Sequence, residues 1–186
     1  MAASLDVVIP VLNEENALDG SVRRVHEFLS AKLDDREWRI VVADNGSTDG
    51  TQRIAQTLAT EYDNVRAVRL EQRGRGLALR KAWLESGSDI VCYMDVDLST
   101  DLEALPKLLG AIEDEGYDIA IGSRLTNGSR VIGRPRHREL ISRVYNLMFP
   151  FVFLTRFSFR DAQCGFKAVS RKAAGELVPL VVDNSW

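Results

Sequence analysis

Cysteine is scarce in this chain: two in 186 residues, Cys92 and Cys164, in no metal-ligand spacing. That excludes a disulfide framework and a cysteine-based zinc site, and both are read as reduced thiols in a cytosol-facing protein. Histidine is equally sparse, His26 and His137; the first reads as helix structure and the second as part of a basic loop. Positive charge is not in excess, with 24 Lys and Arg against 27 Asp and Glu. A net charge of -3 argues against a nucleic-acid partner, which would leave a basic footprint. No apolar run approaches the roughly 20 residues needed to span a bilayer. The nearest, Leu147–Leu154, is broken by Pro150. The first apolar stretch, Leu5–Leu12, contains Asp6 and Pro10 and has no basic leader, so it is not read as a signal peptide. The first candidate strand–helix turn holds no glycine and no P-loop occurs, so the two commonest phosphate cradles are missing.

What is present is alternation. Leu5–Leu12, Trp38–Ala43, Val65–Leu70, Ile90–Met94 and Asp118–Ile121 read as strands, apolar on both faces as in a parallel sheet covered by helices. Between them run helical stripes: Leu18, Val22, Val25 and Leu29; Ile54 and Leu58; Leu102, Leu105, Leu109 and Ile112. Thr100–Glu103 reads as a capping box, with Gly116 and Gly87 as helix stops. The order means an open α/β sheet, with ligands expected at the carboxyl ends of the strands. Trp38, Trp83 and Cys164 read as packing residues.

Four consecutive strand ends carry polar or acidic turns: Pro10–Glu15, Asp44–Thr51, Gln72–Gly76 and Asp95–Asp97. In the second, Asp49 reads as a helix cap and Asp44 as a ligand contact. In the fourth, period-two alternation turns the carboxylates of Asp95 and Asp97 the same way. Two convergent carboxylates suit a hard cation gripping a diphosphate. Asp-x-Asp by itself is equally readable as the start of the next helix.

Together the motifs resemble the family 2 glycosyltransferases of the GT-A fold. They are Val7–Glu15, Val42–Thr51, Arg73–Ala78, the Asp95-Val-Asp97 (DXD) pair and Ile121–Arg124. Asp161-Ala-Gln-Cys-Gly-Phe-Lys167 is similar to the polyprenyl-phosphate branch, which includes dolichyl-phosphate glucosyltransferases and mannose synthases. The resemblance implies an α/β GT-A (Rossmann-like) domain over residues 1–186, cut short at its C-terminus, with a mostly parallel sheet sandwiched by helices. It implies metal-dependent, inverting transfer of a hexose from a nucleotide-sugar to a polyprenyl (dolichyl) phosphate, UDP-glucose ahead of GDP-mannose. Transfer to a sugar or other hydroxyl, with Asp161 as general base, is the alternative. By position, Pro10, Leu12 and Glu14 line base and ribose, Asp44 contacts one of them, and Arg75 and Gly76 lie near the base. Asp95 contacts ribose or donor sugar and is counted with Asp97 in the Mg2+ or Mn2+ site. Arg124 faces the sugar and phosphate side. Asp161, Gln163 and Lys167 sit near the acceptor and the reacting centre, Asp161 and Asp97 being the catalytic candidates. Some relatives carry glutamine where this chain has Ser99, which shifts the cation's shell toward water.

Six arginines crowd the stretch from 124 to 143, opposed only by Glu139. Of these, Arg124 and Arg138 read as phosphate contacts, while Arg130 and Arg134 read as solvated charge. Aromatic residues follow from Tyr145 to Phe159, either ordinary core or a membrane-interface segment. The expectation is therefore a cytoplasmic protein in peripheral contact with the cytoplasmic membrane face.

Overall fold

The computed structural model describes residues 2–71, 73–123 and 164–182. Six strands form one sheet: β1 (Leu5–Val11), β2 (Trp38–Asp44), β3 (Val65–Arg69), β4 (Ile90–Met94), β5 (Ile119–Ile121) and β6 (Phe166–Ser170), in the order β3-β2-β1-β4-β6-β5. β1 to β4 pair in parallel. Helices α1 (Leu18–Lys32), α2 (Thr51–Glu61), α3 (Arg75–Leu84), α4 (Leu105–Glu113) and α5 (Arg171–Leu177) cover it. The expected strands are all present, with ends shifted by at most one residue.

β1 explains the run that announced it. All seven of its residues are buried, because both faces are covered. Leu5, Val7, Ile9 and Val11 pack toward α1, α2 and α4 with Val22, Leu29, Leu58 and Leu105. Val8 packs the other way, with Val41, Val68, Ala78, Leu79 and Tyr93. Pro10 lies beyond the last β1–β4 pair, Val8 with Tyr93, so its missing N–H costs that ladder nothing. Asp6 is the polar exception. Its carboxylate accepts from Arg39 Nε at 2.9 Å, Ser86 Oγ at 2.7 Å and Ser88 Oγ at 2.8 Å, which offsets the cost of burying a charge.

Local details depart from the sequence reading in three places. The helix after Asp97 starts not with a Thr100 capping box but with Asp101, whose carboxylate accepts from Glu103 N at 3.1 Å and opens a 3-10 turn, Leu102–Ala104, ahead of α4. Gly116 does end α4's segment in the left-handed region, at φ +73°. Gly87 is not left-handed, and its carbonyl instead accepts from Arg171 Nη1 at 2.8 Å. The larger difference is β6. The sequence reading did not identify this strand, which enters between β4 and β5 antiparallel to both; the sheet as a whole is mostly parallel, as expected. Trp38 and Trp83 are half-buried at the margins of the packed clusters, while Cys164 is 2% exposed. His26 is half-buried with Nε2 3.0 Å from Asn64 Oδ1, a structural role as expected. The expected aromatic stretch from Tyr145 lies outside the described residues.

The starts of β1 and β4 are clasped. Asp89 accepts from Ser4 N at 3.0 Å and from Ser4 Oγ at 2.8 Å. These bonds, aided by Arg171, hold its carboxyl below the usual carboxylate range. A lowered folded-state pKa adds stability above the unfolded-state value of about 3.9 that is lost as pH falls through the folded one. Asp89→Asn is therefore expected to lower the urea midpoint by a constant amount above about pH 5, with the gap to wild type narrowing below about pH 4.

Candidate active site

The carboxyl ends of β1 and β2 are bound to each other by side chains that accept from, or donate to, backbone. Asn13 sits in the left-handed region at φ 57°, which asparagine tolerates. Its N–H donates to Ser47 Oγ at 3.0 Å and its Oδ1 accepts from Thr48 N at 2.8 Å. Glu14 N donates to Thr51 Oγ1 at 2.8 Å, and Glu15 Oε2 accepts from Gly50 N at 2.7 Å. The N-cap of α2 is Gly50, not Asp49; Asp49, one residue earlier, accepts from Thr51 N at 3.0 Å and Thr51 Oγ1 at 2.6 Å, which holds its carboxyl below the usual range. Asn45 extends the lacing to the third loop, its Oδ1 accepting from Gly74 N at 2.5 Å just before α3.

β4 ends at Met94, and the chain turns at once. Leu98 N donates to the Asp95 carbonyl at 3.2 Å, and Leu98 is left-handed at φ 47°. That conformation is uncommon for a leucine and is held by its surroundings. Strand alternation therefore does not carry through Asp97. The turn, rather than the pleat, brings both aspartates to one cavity.

That cavity measures about 420 Å³ and is lined by Pro10, Val11, Leu12, Glu14, Asn45, Arg75, Asp95, Val96 and Asp97. Thus Pro10, Leu12, Glu14, Arg75, Asp95 and Asp97 come together as expected. Asp95 Oδ1 accepts from Tyr93 Oη at 2.6 Å and from Arg75 Nη2. Burial, with Asp95 as the hydrogen-bond partner, pushes the Tyr93 phenol up. Asp97 is exposed, and its Oδ1 accepts from Ser99 N at 2.9 Å.

Other expected residues are placed differently. Asp44 is 2% exposed, and both of its carboxylate oxygens accept hydrogen bonds: Arg69 Nη1 donates to Oδ2 at 2.8 Å and Ser47 N to Oδ1 at 2.9 Å. It does not line the cavity. Gly76 lies in the first turn of α3 and is likewise not among the lining residues. Lys167 sits on β6 opposite Tyr93, with Nζ 5.8 Å from the Tyr93 ring centroid, so it stands beside the Asp95 cluster. Arg124, Arg138, Asp161 and Gln163 lie outside the described residues. Tyr93 and Asn45 were not foreseen. The period-two rule was the available signal for Tyr93, since residue 93 shares a strand side with residue 95.

The donor set suits a hard cation. Asp95 and Asp97 offer carboxylate oxygens, and Asp97 Oδ2 takes no hydrogen bond among the described residues. No group of three or more His, Cys, Asp or Glu is gathered among them.

A mostly parallel sheet with helices on both faces and its site at the strand ends is the GT-A architecture of glycosyltransferases. The chain belongs to glycosyl transferase family 2, whose model matches residues 6–178. It is 40% identical over 183 residues to "Glycosyltransferase AglD" of Haloferax volcanii (98% of this chain, 29% of the relative). It is 35% identical to a dolichol-phosphate mannosyltransferase of Pyrococcus furiosus (95% and 48%) and 31% identical to a dolichyl-phosphate beta-glucosyltransferase of Saccharomyces cerevisiae (98% and 59%). The chain thus spans between 29% and 59% of these relatives' length. Among solved structures it is similar to glucosyl-3-phosphoglycerate synthase from Mycobacterium tuberculosis with Mn2+ and UDP-glucose: TM-score 0.60, 25% identity, covering 91% of this chain and 57% of that one. No helix among the described residues is long and apolar enough to cross a membrane.

The Arg69–Asp44 pair tests the placement of Asp44. Arg69→Ala leaves a buried carboxylate without its cation and is expected to destabilise the fold by about 2–3 kcal/mol, the cost of breaking a buried pair reduced for Arg69's partial exposure. Urea denaturation measures it.

Proposed function

We propose that this domain transfers a hexose, with inversion, from a nucleotide-sugar to a polyprenyl (dolichyl) phosphate, with UDP-glucose the first donor and GDP-mannose the second. The observation that carries the reading is the single cavity uniting Pro10, Leu12, Glu14, Arg75, Asp95 and Asp97. The named relatives support the acceptor class, and the UDP-glucose complex of the structural relative supports the donor.

In this reading Pro10 and Leu12 give the base an apolar surface, and Glu14 accepts from ribose hydroxyls. Asp95 and Asp97 hold Mg2+ or Mn2+, the cation found with the structural relative being Mn2+. Such an ion, when bound, stabilises the charge that grows on the diphosphate as it leaves. Arg75 adds positive charge on the same side. The lipid phosphate oxygen bonds to the anomeric carbon as the bond from that carbon to the diphosphate breaks, the electron pair leaving with the diphosphate. A phosphate monoester has its second pKa near 6, so the acceptor is already mostly a dianion at neutral pH and needs no strong base. Asp161 then orients acceptor or donor sugar, with Arg124, Arg138, Gln163 and Lys167 on the phosphate side. An acceptor anchored in lipid calls for peripheral contact at the cytoplasmic membrane face.

The likeness to a glucosyl-3-phosphoglycerate synthase favours a second reading, transfer to a hydroxyl. A hydroxyl loses its proton during attack, so Asp161 would serve as general base. The two readings separate in the pH profile of Asp161→Asn. Lipid-phosphate transfer leaves a residual rate that is mostly independent of pH, whereas hydroxyl transfer loses the basic limb.

The donor is tested by thermal shift with Mn2+ and UDP-, GDP- or dTDP-sugars. UDP-glucose is expected to raise Tm most, and Asp97→Asn to abolish the Mn2+-dependent part of that rise. Equal melting with and without every nucleotide would overturn the proposal.

A further inference from the structure

We infer that Tyr93 is a positioning residue that fixes the rotation of the Asp95 carboxylate, and that Gly165 keeps the space into which this carboxylate turns. The inference rests on the donor-site reading above. Tyr93 is 2% exposed and packs among Val8, Val41, Ala78 and Leu79. A phenylalanine would fill that pocket equally well, so the hydroxyl is what needs explaining. It donates to Asp95 Oδ1 at 2.6 Å, and Arg75 Nη2 reaches both the phenol and the same carboxylate oxygen. Two cationic groups approach the ring, the Arg75 guanidinium carbon at 5.5 Å and Lys167 Nζ at 5.8 Å from its centroid. One tyrosine therefore touches a cation donor from α3, one from β6 and the carboxylate at the end of β4.

The second oxygen is fixed from the opposite element. A Cβ built on Gly165 would overlap Asp95 Oδ2 and Cγ. The backbone just before β6 thus lies directly against the carboxylate, and any side chain there would push it aside. Gly165 has no left-handed φ to explain the glycine, so the close approach to Asp95 does. With Oδ1 bonded to the phenol and guanidinium and Oδ2 against Gly165, the carboxylate is oriented before any ligand arrives, as partners of ligating carboxylates generally do.

The test measures binding as well as turnover, in wild type, Tyr93→Phe and Gly165→Ala. Calorimetry with UDP and with GDP is run in Mn2+ and in EDTA, alongside thermal melting and donor KM and kcat. Tyr93→Phe is expected to melt close to wild type and Gly165→Ala below it, and both to bind the diphosphate about tenfold more weakly in Mn2+ and unchanged in EDTA. Wild-type affinity in Mn2+ for Tyr93→Phe overturns the inference while leaving the donor site intact. Equal weakening in Mn2+ and EDTA also overturns it, because the tyrosine would then serve the nucleotide pocket at large. A lower Tm with unchanged affinity makes the hydroxyl merely structural and overturns it too. Failure of the wild type itself to bind either diphosphate in Mn2+ removes the functional reading, and this inference with it.

Discussion

Everything at the site depends on loops that are tied to one another rather than left to the strands that launch them. Asn13 and Glu15 from the first strand end, and Ser47 and Thr51 from the second, accept hydrogen bonds from backbone amides of the opposite loop. Asn45 then holds the third loop through Gly74. Loops ordinarily carry function at the expense of precision. Here each loop's spare amides are satisfied by its neighbour, so the cavity wall is part of the hydrogen-bonded framework. The polar residues that crowd these turns in the sequence divide into two groups. One group builds the wall, and a smaller one faces the cavity.

That division accounts for what was legible. The strands could be read because a parallel sheet covered on both faces demands unbroken apolar runs, and Leu5–Val11 and Ile90–Met94 are such runs. Asp95 and Asp97 could be assigned to the cavity because theirs is one of four consecutive strand ends that carry polar or acidic turns. The ion pair of Asp44 with Arg69 was not legible, because Arg69 is 25 residues away on a neighbouring strand. Nothing local distinguishes a carboxylate meant for a ligand from one meant for a guanidinium. The direction of β6 was hidden for the same reason: its partners, β4 and β5, lie before a long intervening stretch of chain.

The site mixes committed and available charge. Asp95 is engaged by Tyr93 and Arg75, whereas Asp97 stands exposed with one oxygen free among the described residues. One acid is held in place and the other is accessible, so the pocket offers both a fixed and a free carboxylate oxygen of the kind a hard cation takes.

The antiparallel strand has a consequence for both the sheet and the site. Among the described residues β5 pairs with β6 alone, and β6 also lies along the open side of β4. With β6 in place, β4 no longer presents an unpaired edge on that side, the kind of surface that invites mispairing with other chains. The same placement brings Gly165 against Asp95. The strand that covers β4 is thus also the one that sets Gly165 as a wall beside Asp95, so one pairing event shapes both the sheet and this side of the acidic pocket.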